Sequence, residues 1–333
     1  MKSDINGIYN NEIPKFLNDY FNYLSTIKGC SINTIIAYTA DLSLLLKFIK
    51  MYKGLVPSDK ALPLEKITIS DLTIDTLKTL ELQDLYAFVS YLGKYRANGN
   101  YAKARKIASI KSLFKYLTTK AKVLTIDPTI DLESPKLGKR SPVFLTLDES
   151  KTLLEATLSR DKHSIRDHSI ITLFLNCGIR LSELCGINLS DMKDDTLSII
   201  GKGNKQRTIY LNNASLRAIH KYLPIRYMNI DKIHIEDKDA LFISGKFGRI
   251  NKRTVERIVK KHIGDAGLNK NKYTPHKLRH TSATLMYKYG NVDIRSLQEI
   301  LGHENISTTQ IYTHADNEKL RNAVKSNPLS DEQ

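Results

Sequence analysis

Six side chains in the second half of this 333-residue sequence are of types that together can break and remake a phosphodiester: Arg180, Lys202, His276, Arg279, His303 and Tyr312. A guanidinium presents a planar fork of donors that matches phosphate oxygens. An imidazole exchanges protons near neutral pH, and a lysine ammonium can give one to a departing oxygen. A phenol oxygen can attack phosphorus and hold it as a covalent ester. As a fifth oxygen approaches phosphorus the negative charge becomes concentrated, so fixed cations around that centre favour the transition state. A free phenol ionises only near pH ~10. It needs a base or a positive field, and the two arginines and the histidines supply both.

Each of these residues alone is ordinary. The chain has 17 tyrosines, so residue type says little about Tyr312. Lys202 sits in a Gly/Asn-rich turn, where lysines are commonly just solvated, and Lys205 is a nearby competitor. The neighbourhoods carry more. Arg180 lies in Cys177-Gly178-Ile179-Arg180-Leu181-Ser182-Glu183-Leu184, after a helix-ending Asn-Cys-Gly. Glu183 is one turn on and placed to brace the guanidinium rather than to act directly. His276 and Arg279 lie in Thr274-Pro275-His276-Lys277-Leu278-Arg279-His280-Thr281, and the i, i+3 spacing puts them on one helical face. His280 reads as turned away by one helical step, a packing or capping residue. Leu301-Gly302-His303 and Ser307-Thr308-Thr309-Gln310-Ile311-Tyr312 complete the series.

These motifs, in this order and at these spacings, resemble the tyrosine recombinase (phage integrase) family, with the compact Xer-type members nearest in appearance. The likeness runs through motifs from Thr146 onward and more weakly, through pattern, over the first 120 or so residues. It implies that Arg180 and Arg279 clamp a scissile phosphate and that Lys202 is the general acid for the 5′ oxygen. His276 would accept a proton or donate to the phosphate, and His303 would hydrogen-bond it. Tyr312 would form a 3′-phosphotyrosyl link, and two rounds of exchange would pass through a Holliday junction. The family carries an acidic residue at the position of Glu183. It also implies a mainly α fold with a small β-sheet, arranged as a two-domain C-shaped DNA clamp. A helical core-binding (SAM-like) domain over residues 1–122 would be joined by a linker, 123–144, to a catalytic domain, 145–333. The partners implied are a double-stranded recombination site, a homotetramer or heterotetramer on two duplexes, and a DNA translocase or second recombinase. No cofactor and no metal are expected.

Composition fits a polyanionic partner. Lys plus Arg number 51 against 35 Asp plus Glu, a net charge of +16, and neutralising phosphates releases counterions. Length points to about two domains. Cys30, Cys177 and Cys185 form no metal-binding spacing and no disulfide framework. With no long apolar run seen near the N-terminus, neither a signal peptide nor a membrane span is expected, and a cytoplasmic location follows.

The elements that must position these residues are mostly helices. Ile13, Phe16, Leu17, Tyr20, Phe21 and Leu24 recur at helical spacing, and Ser31 can cap a second helix through Ile35, Tyr38, Leu42, Leu45 and Ile49. A loop over about 52–70 precedes helical patterns over 76–92 and 101–117. From Leu85 to Ile126 there is no acid, so Lys103, Arg105, Lys106, Lys111 and Lys115 form a single-sign run that reads as a DNA-backbone contact. Thr146-Leu147-Asp148-Glu149 is a capping box. β-prone runs at 197–200 and 207–211 flank the turn holding Lys202 and Lys205 and predict a hairpin, with 241–243 a candidate third strand. Helices are expected over 252–263, 276–289, 293–301 and 306–312.

Lys205 and Arg207 in the hairpin, and Lys246, Arg249, Lys252, Arg253 and Arg257 in a basic loop and helix, are candidate DNA contacts, on base edges or on phosphate alone. Leu320 and Val324 lie one turn apart in the tail, and the resemblance implies that the tail is exchanged between protomers. Chromosome-dimer resolution is the expected role. Integration or excision of a mobile element uses the same chemistry, and a non-catalytic DNA-binding protein would have lost at least one of the six residues.

Overall fold

The computed structural model describes residues 11–56, 63–138, 143–159, 161–201, 206–290 and 292–302. The chain divides into two compact units, Met1–Lys139 and Arg140–Gln333. The described residues are mainly helical with one three-stranded antiparallel sheet.

The first unit contains α1 (Lys15–Thr26), α2 (Ile32–Tyr52), α3 (Ile74–Lys78), α4 (Leu82–Lys94) and α5 (Asn100–Thr119). The apolar period of α1 buries Phe16, Leu17, Tyr20, Phe21 and Leu24. Ser31 caps α2, its hydroxyl accepting from the Thr34 amide. The pattern expected as one helix over 76–92 is two, because the Glu81 amide turns back to Asp84 Oδ2 and starts α4 afresh. Helix α2 also corrects the reading that no long apolar run is present: it is long and apolar enough by composition to cross a bilayer. Here Leu42, Leu45, Leu46, Phe48 and Ile49 pack with Phe88 of α4 and with Ile110 and Phe114 of α5 in one core. Leu124 and Leu132, from the stretch after α5, are buried in the same core.

The basic run of α5 is not left to repel itself. Asp41 of α2, its side chain 2% exposed, takes both terminal nitrogens of Arg105 at 2.5 and 2.9 Å and Lys106 Nζ at 3.2 Å. Glu65 takes Arg96 at 2.7 Å. The neutralising acids come from other segments, which a scan of α5 alone cannot show.

The second unit contains α6 (Leu147–Ala156), α7 (Ser164–Cys177), α8 (Leu181–Gly186), β1 (Met192–Lys193), β2 (Thr196–Ile200), β3 (Gln206–Tyr210), α9 (Asn213–Tyr227), α10 (Lys252–Asp265), α11 (Pro275–Tyr289) and α12 (Ile294–Leu301). The Thr146–Glu149 capping box forms in both directions, at 3.1 and 2.7 Å. The expected hairpin is present, with Leu197 opposite Ile209 and both buried. The third strand is not 241–243 but β1, on the other side of β2. Leu241 and Phe242 are core residues, and Ile243 makes only an isolated bridge to Arg249. Helix α9 is not among the elements expected from the sequence; Asn212 caps its start, and Pro224 lies within its last turn. At the centre runs α7, buried on most of its surface and packed on α9 and α11.

Replacing Asp41 by Asn keeps the shape and removes the charge that Arg105 and Lys106 share. Discounting for the exposure of Arg105, the loss should be about 2–3 kcal/mol, read as a lower urea midpoint for unfolding of the full chain. An unchanged midpoint would mean that the buried carboxylate contributes nothing net.

Candidate active site

Helix α7 ends at Gly178, which adopts a left-handed conformation (φ +59°). A Cβ there would also lie 2.9 Å from Leu301 Cδ2, so glycine is needed both for the turn and for the close approach of α12. The turn delivers Arg180 to the N-cap of α8. The Glu183 carboxylate accepts from the Arg180 amide at 2.7 Å and from Arg180 Nη1 at 2.8 Å.

Arg279, on α11, is buried at 3% exposure. Its Nη1 donates to the Gly178 carbonyl and its Nη2 to the Leu301 carbonyl, each at 2.5 Å. Arg180 Nη2 donates to the Gly302 carbonyl at 2.6 Å. The two arginines, 99 positions apart in sequence, therefore meet on consecutive carbonyls at the C-terminal end of α12. Those carbonyls lack intrahelical partners and carry the negative end of the helix dipole. Gly302 is left-handed as well, φ +63°, and the next residue is His303.

Glu183 ties the cluster together. Besides Arg180 it accepts a bidentate pair from Arg207 of β3, at 2.6 and 2.9 Å, while its own side chain is only 2% exposed. Burial alone would raise this carboxyl. The bonds from Arg207, the Arg180 amide and the Arg180 guanidinium outweigh it and hold the group at about 2. Arg207 was expected at DNA. It is instead 15% exposed, committed to Glu183 and packed against Gly302, where a Cβ would come within 3.0 Å of it. The alternation of β3 carried that signal: Arg207 shares the inward face with buried Ile209.

His276 stands beside the two arginines. Partial burial, and then the charges of Lys277, Arg279 and Arg180, push it below the ordinary histidine value. Its Nε2 lies 3.0 Å from Nε2 of His280, with the rings edge to face at 4.4 Å. This reverses the expectation for His280. The step from Arg279 is one residue, but the step from His276 is four, a full turn on the same face.

The remaining expected DNA contacts divide by environment. Lys246, Lys252, Arg253 and Arg257 are exposed on the basic loop and α10. Arg249 turns inward to Asn188 Oδ1 at 2.7 Å and the Ile187 carbonyl at 3.2 Å, pinning the exit of α8. In the first unit Lys115 is exposed and Lys103 and Lys111 are half-buried. Arg105 and Lys106 are paired with Asp41. Lys202, Lys205, His303, Tyr312, Leu320 and Val324 lie outside the described residues. Among the described residues, one surface group, His234, Glu236 and Asp237, has ligand atoms within 4.8 Å of one another; Asp237 is already engaged by the Arg249 amide.

The carboxyl of Glu183 makes a specific pH dependence. Its folded value of about 2 lies below the ordinary 4.5, so its stabilisation is complete above pH 4.5 and is lost as pH falls toward 2. A shift of that size corresponds to about 3 kcal/mol. Glu183→Gln should lower stability by that order at pH 7 in urea unfolding, and the gap from wild type should narrow at pH 3. A gap that stays constant between the two pH values would rule out this linkage.

Comparison with known proteins gives the family. A model of the phage integrase family matches residues 143–319. The chain is 53% identical over 319 residues to the tyrosine recombinase XerC of Caldanaerobacter subterraneus subsp. tengcongensis, covering 96% of this chain and 88% of that one. It is 36% identical over 322 residues to XerC of Thermodesulfovibrio yellowstonii, covering 95% and 97%. The fold matches the crystal structure of the XerH site-specific recombinase bound to palindromic difH substrate as a post-cleavage complex, with a TM-score of 0.68, 21% identity and coverage of 93% and 84%. With two arginines, a histidine and a buried acid gathered at one helix end, and with these relatives, the chain belongs to the phage integrase family and is a tyrosine recombinase of the Xer type.

Proposed function

We propose that this recombinase cleaves and rejoins a specific duplex through Tyr312, by way of a 3′-phosphotyrosyl intermediate and a Holliday junction, and that its cellular role is resolution of chromosome dimers. The observation that carries the chemistry is the pairing of Arg180 and Arg279 on the last carbonyls before His303, with His276 near enough for the charges of both to lower its pKa. These guanidiniums hold hydrogen-bond acceptors where a phosphate oxygen is an equally good and more strongly charged partner. In this reading they clamp the scissile phosphate, and Lys202 protonates the departing 5′ oxygen. Tyr312 attacks phosphorus while its proton leaves toward His276, and His303 donates to a non-bridging oxygen. The bond made is Tyr312 O–P and the bond broken is P–O5′. The energy is kept in the ester, so religation by the freed hydroxyl needs no nucleotide.

The wider assembly follows from the same reading. Residues 1–122 act as a core-binding domain and 145–333 as the catalytic domain, joined by 123–144, and both contact DNA in the cytoplasm. Lys103, Lys111, Lys115, Lys205, Lys246, Lys252, Arg253 and Arg257 neutralise phosphates or reach bases. Four protomers act on two duplexes, with the tail holding Leu320 and Val324 exchanged between neighbours. The XerC relatives favour the chromosomal role over a mobile element.

A nicked suicide duplex pool built from candidate chromosomal sites, incubated with the full chain in EDTA, tests the reading. Wild type should give a covalent protein–DNA band at one sequence, and Tyr312→Phe none. Arg180→Ala should lower the rate by about a hundredfold or more with DNA binding retained. An equal band from Tyr312→Phe would overturn the nucleophile.

A further inference from the structure

Two imidazole nitrogens 3.0 Å apart impose a rule on each other. His276 Nε2 and His280 Nε2 can share one proton; two would set N–H against N–H, and none would leave two lone pairs facing. The pair therefore has two arrangements. When His276 donates, its Nδ1 is bare and can take a proton. When His276 accepts, its Nδ1 carries a hydrogen and can only give one. The position of one proton between the rings decides whether the ring next to Arg180 and Arg279 is a base or a donor.

Electrostatics select where an added proton rests. His276 sits in the first turn of α11, at the positive end of the helix dipole, among Arg180, Lys277 and Arg279. An imidazolium there is opposed by three cations and a dipole. One turn further along, His280 is farther from that helix end.

We propose that His280 is a positioning and relay residue for His276, fixing its tautomer and receiving its Nε2 proton as Nδ1 accepts the phenol proton. The step balances: the Tyr312 O–H proton goes to His276 Nδ1, the His276 Nε2–H proton goes to His280 Nε2, His276 stays neutral, and His280 carries the charge until religation returns it. This rests on the assignment of Tyr312 as nucleophile.

The test is a double-mutant cycle on the suicide duplex with the full chain, together with imidazole 15N resonances across pH. His280→Phe should slow covalent-complex formation by roughly ten- to a hundredfold with DNA binding retained. His280→Gln, which can hold His276 but cannot carry the proton as a cation, should recover only part of this. In His276→Gln the added His280→Phe change should have little further effect. In wild type the two histidines should titrate together, and in His280→Phe His276 should titrate alone. Cleavage within twofold of wild type in both His280 variants, or multiplicative losses in the cycle, would overturn the proposal. So would independent titrations in wild type, a result that stands even if His280→Phe fails to fold. A covalent band from Tyr312→Phe would instead sink the reading of Tyr312 and leave the histidine coupling to be judged by its titration.

Discussion

A carboxylate with almost no access to water holds the second unit of this protein in one arrangement. Glu183 receives two guanidiniums and a backbone amide, and each comes from a different structural commitment. The amide fixes the start of α8, Arg180 reaches from there to the end of α12, and Arg207 fastens the β-hairpin underneath. A buried acid with one partner would be costly to desolvate; with four hydrogen bonds from three groups its ionised form is favoured down to low pH. Because Arg207 spends its donors on Glu183, the hairpin is anchored by its second strand.

The same logic organises the first unit by other means. Its basic helix is held by a buried acid from α2, so part of what looks like free positive surface is internal bookkeeping of charge. Asp41 accounts for two of the cations that sequence alone assigns to a partner. The cations without such a partner, Lys115 in α5 and the exposed set on α10, are better placed to meet phosphates.

Much of this was legible in the sequence, for reasons that can be named. The Thr146 capping box, most helical periods and the hairpin are local, and among the described residues they appeared where spacing put them, with boundaries shifted by one or two positions; the pattern over 76–92 broke into two helices. Arg180, His276 and Arg279 were legible because their neighbours form recurrent motifs. What escaped was non-local or two-sided. Arg105 and Arg249 look like unpaired cations until the acid or carbonyls they answer to arrive from residues about sixty positions away. Arg207 hid behind its charge, although strand alternation turned it inward. His280 was misread because its angle was taken from Arg279 rather than from the histidine one turn before it. Helix α9 was not among the expected elements, although Asn212 stands where it caps the helix start.

The placement of Arg279 between the ends of α7 and α12 gives it two duties. Its planar fork spans the carbonyls of Gly178 and Leu301, so one cation answers the negative ends of two helices that converge on the site. A lysine, with a single compact charge, cannot bridge both in the same way. If Arg279 clamps a phosphate as proposed, kinetic losses from changing it mix chemistry with architecture, and the same holds for Arg180, which is tied to Glu183 and to the Gly302 carbonyl. On the proposed role of Arg279, selection acting on this position sees folding and strand cleavage as one trait.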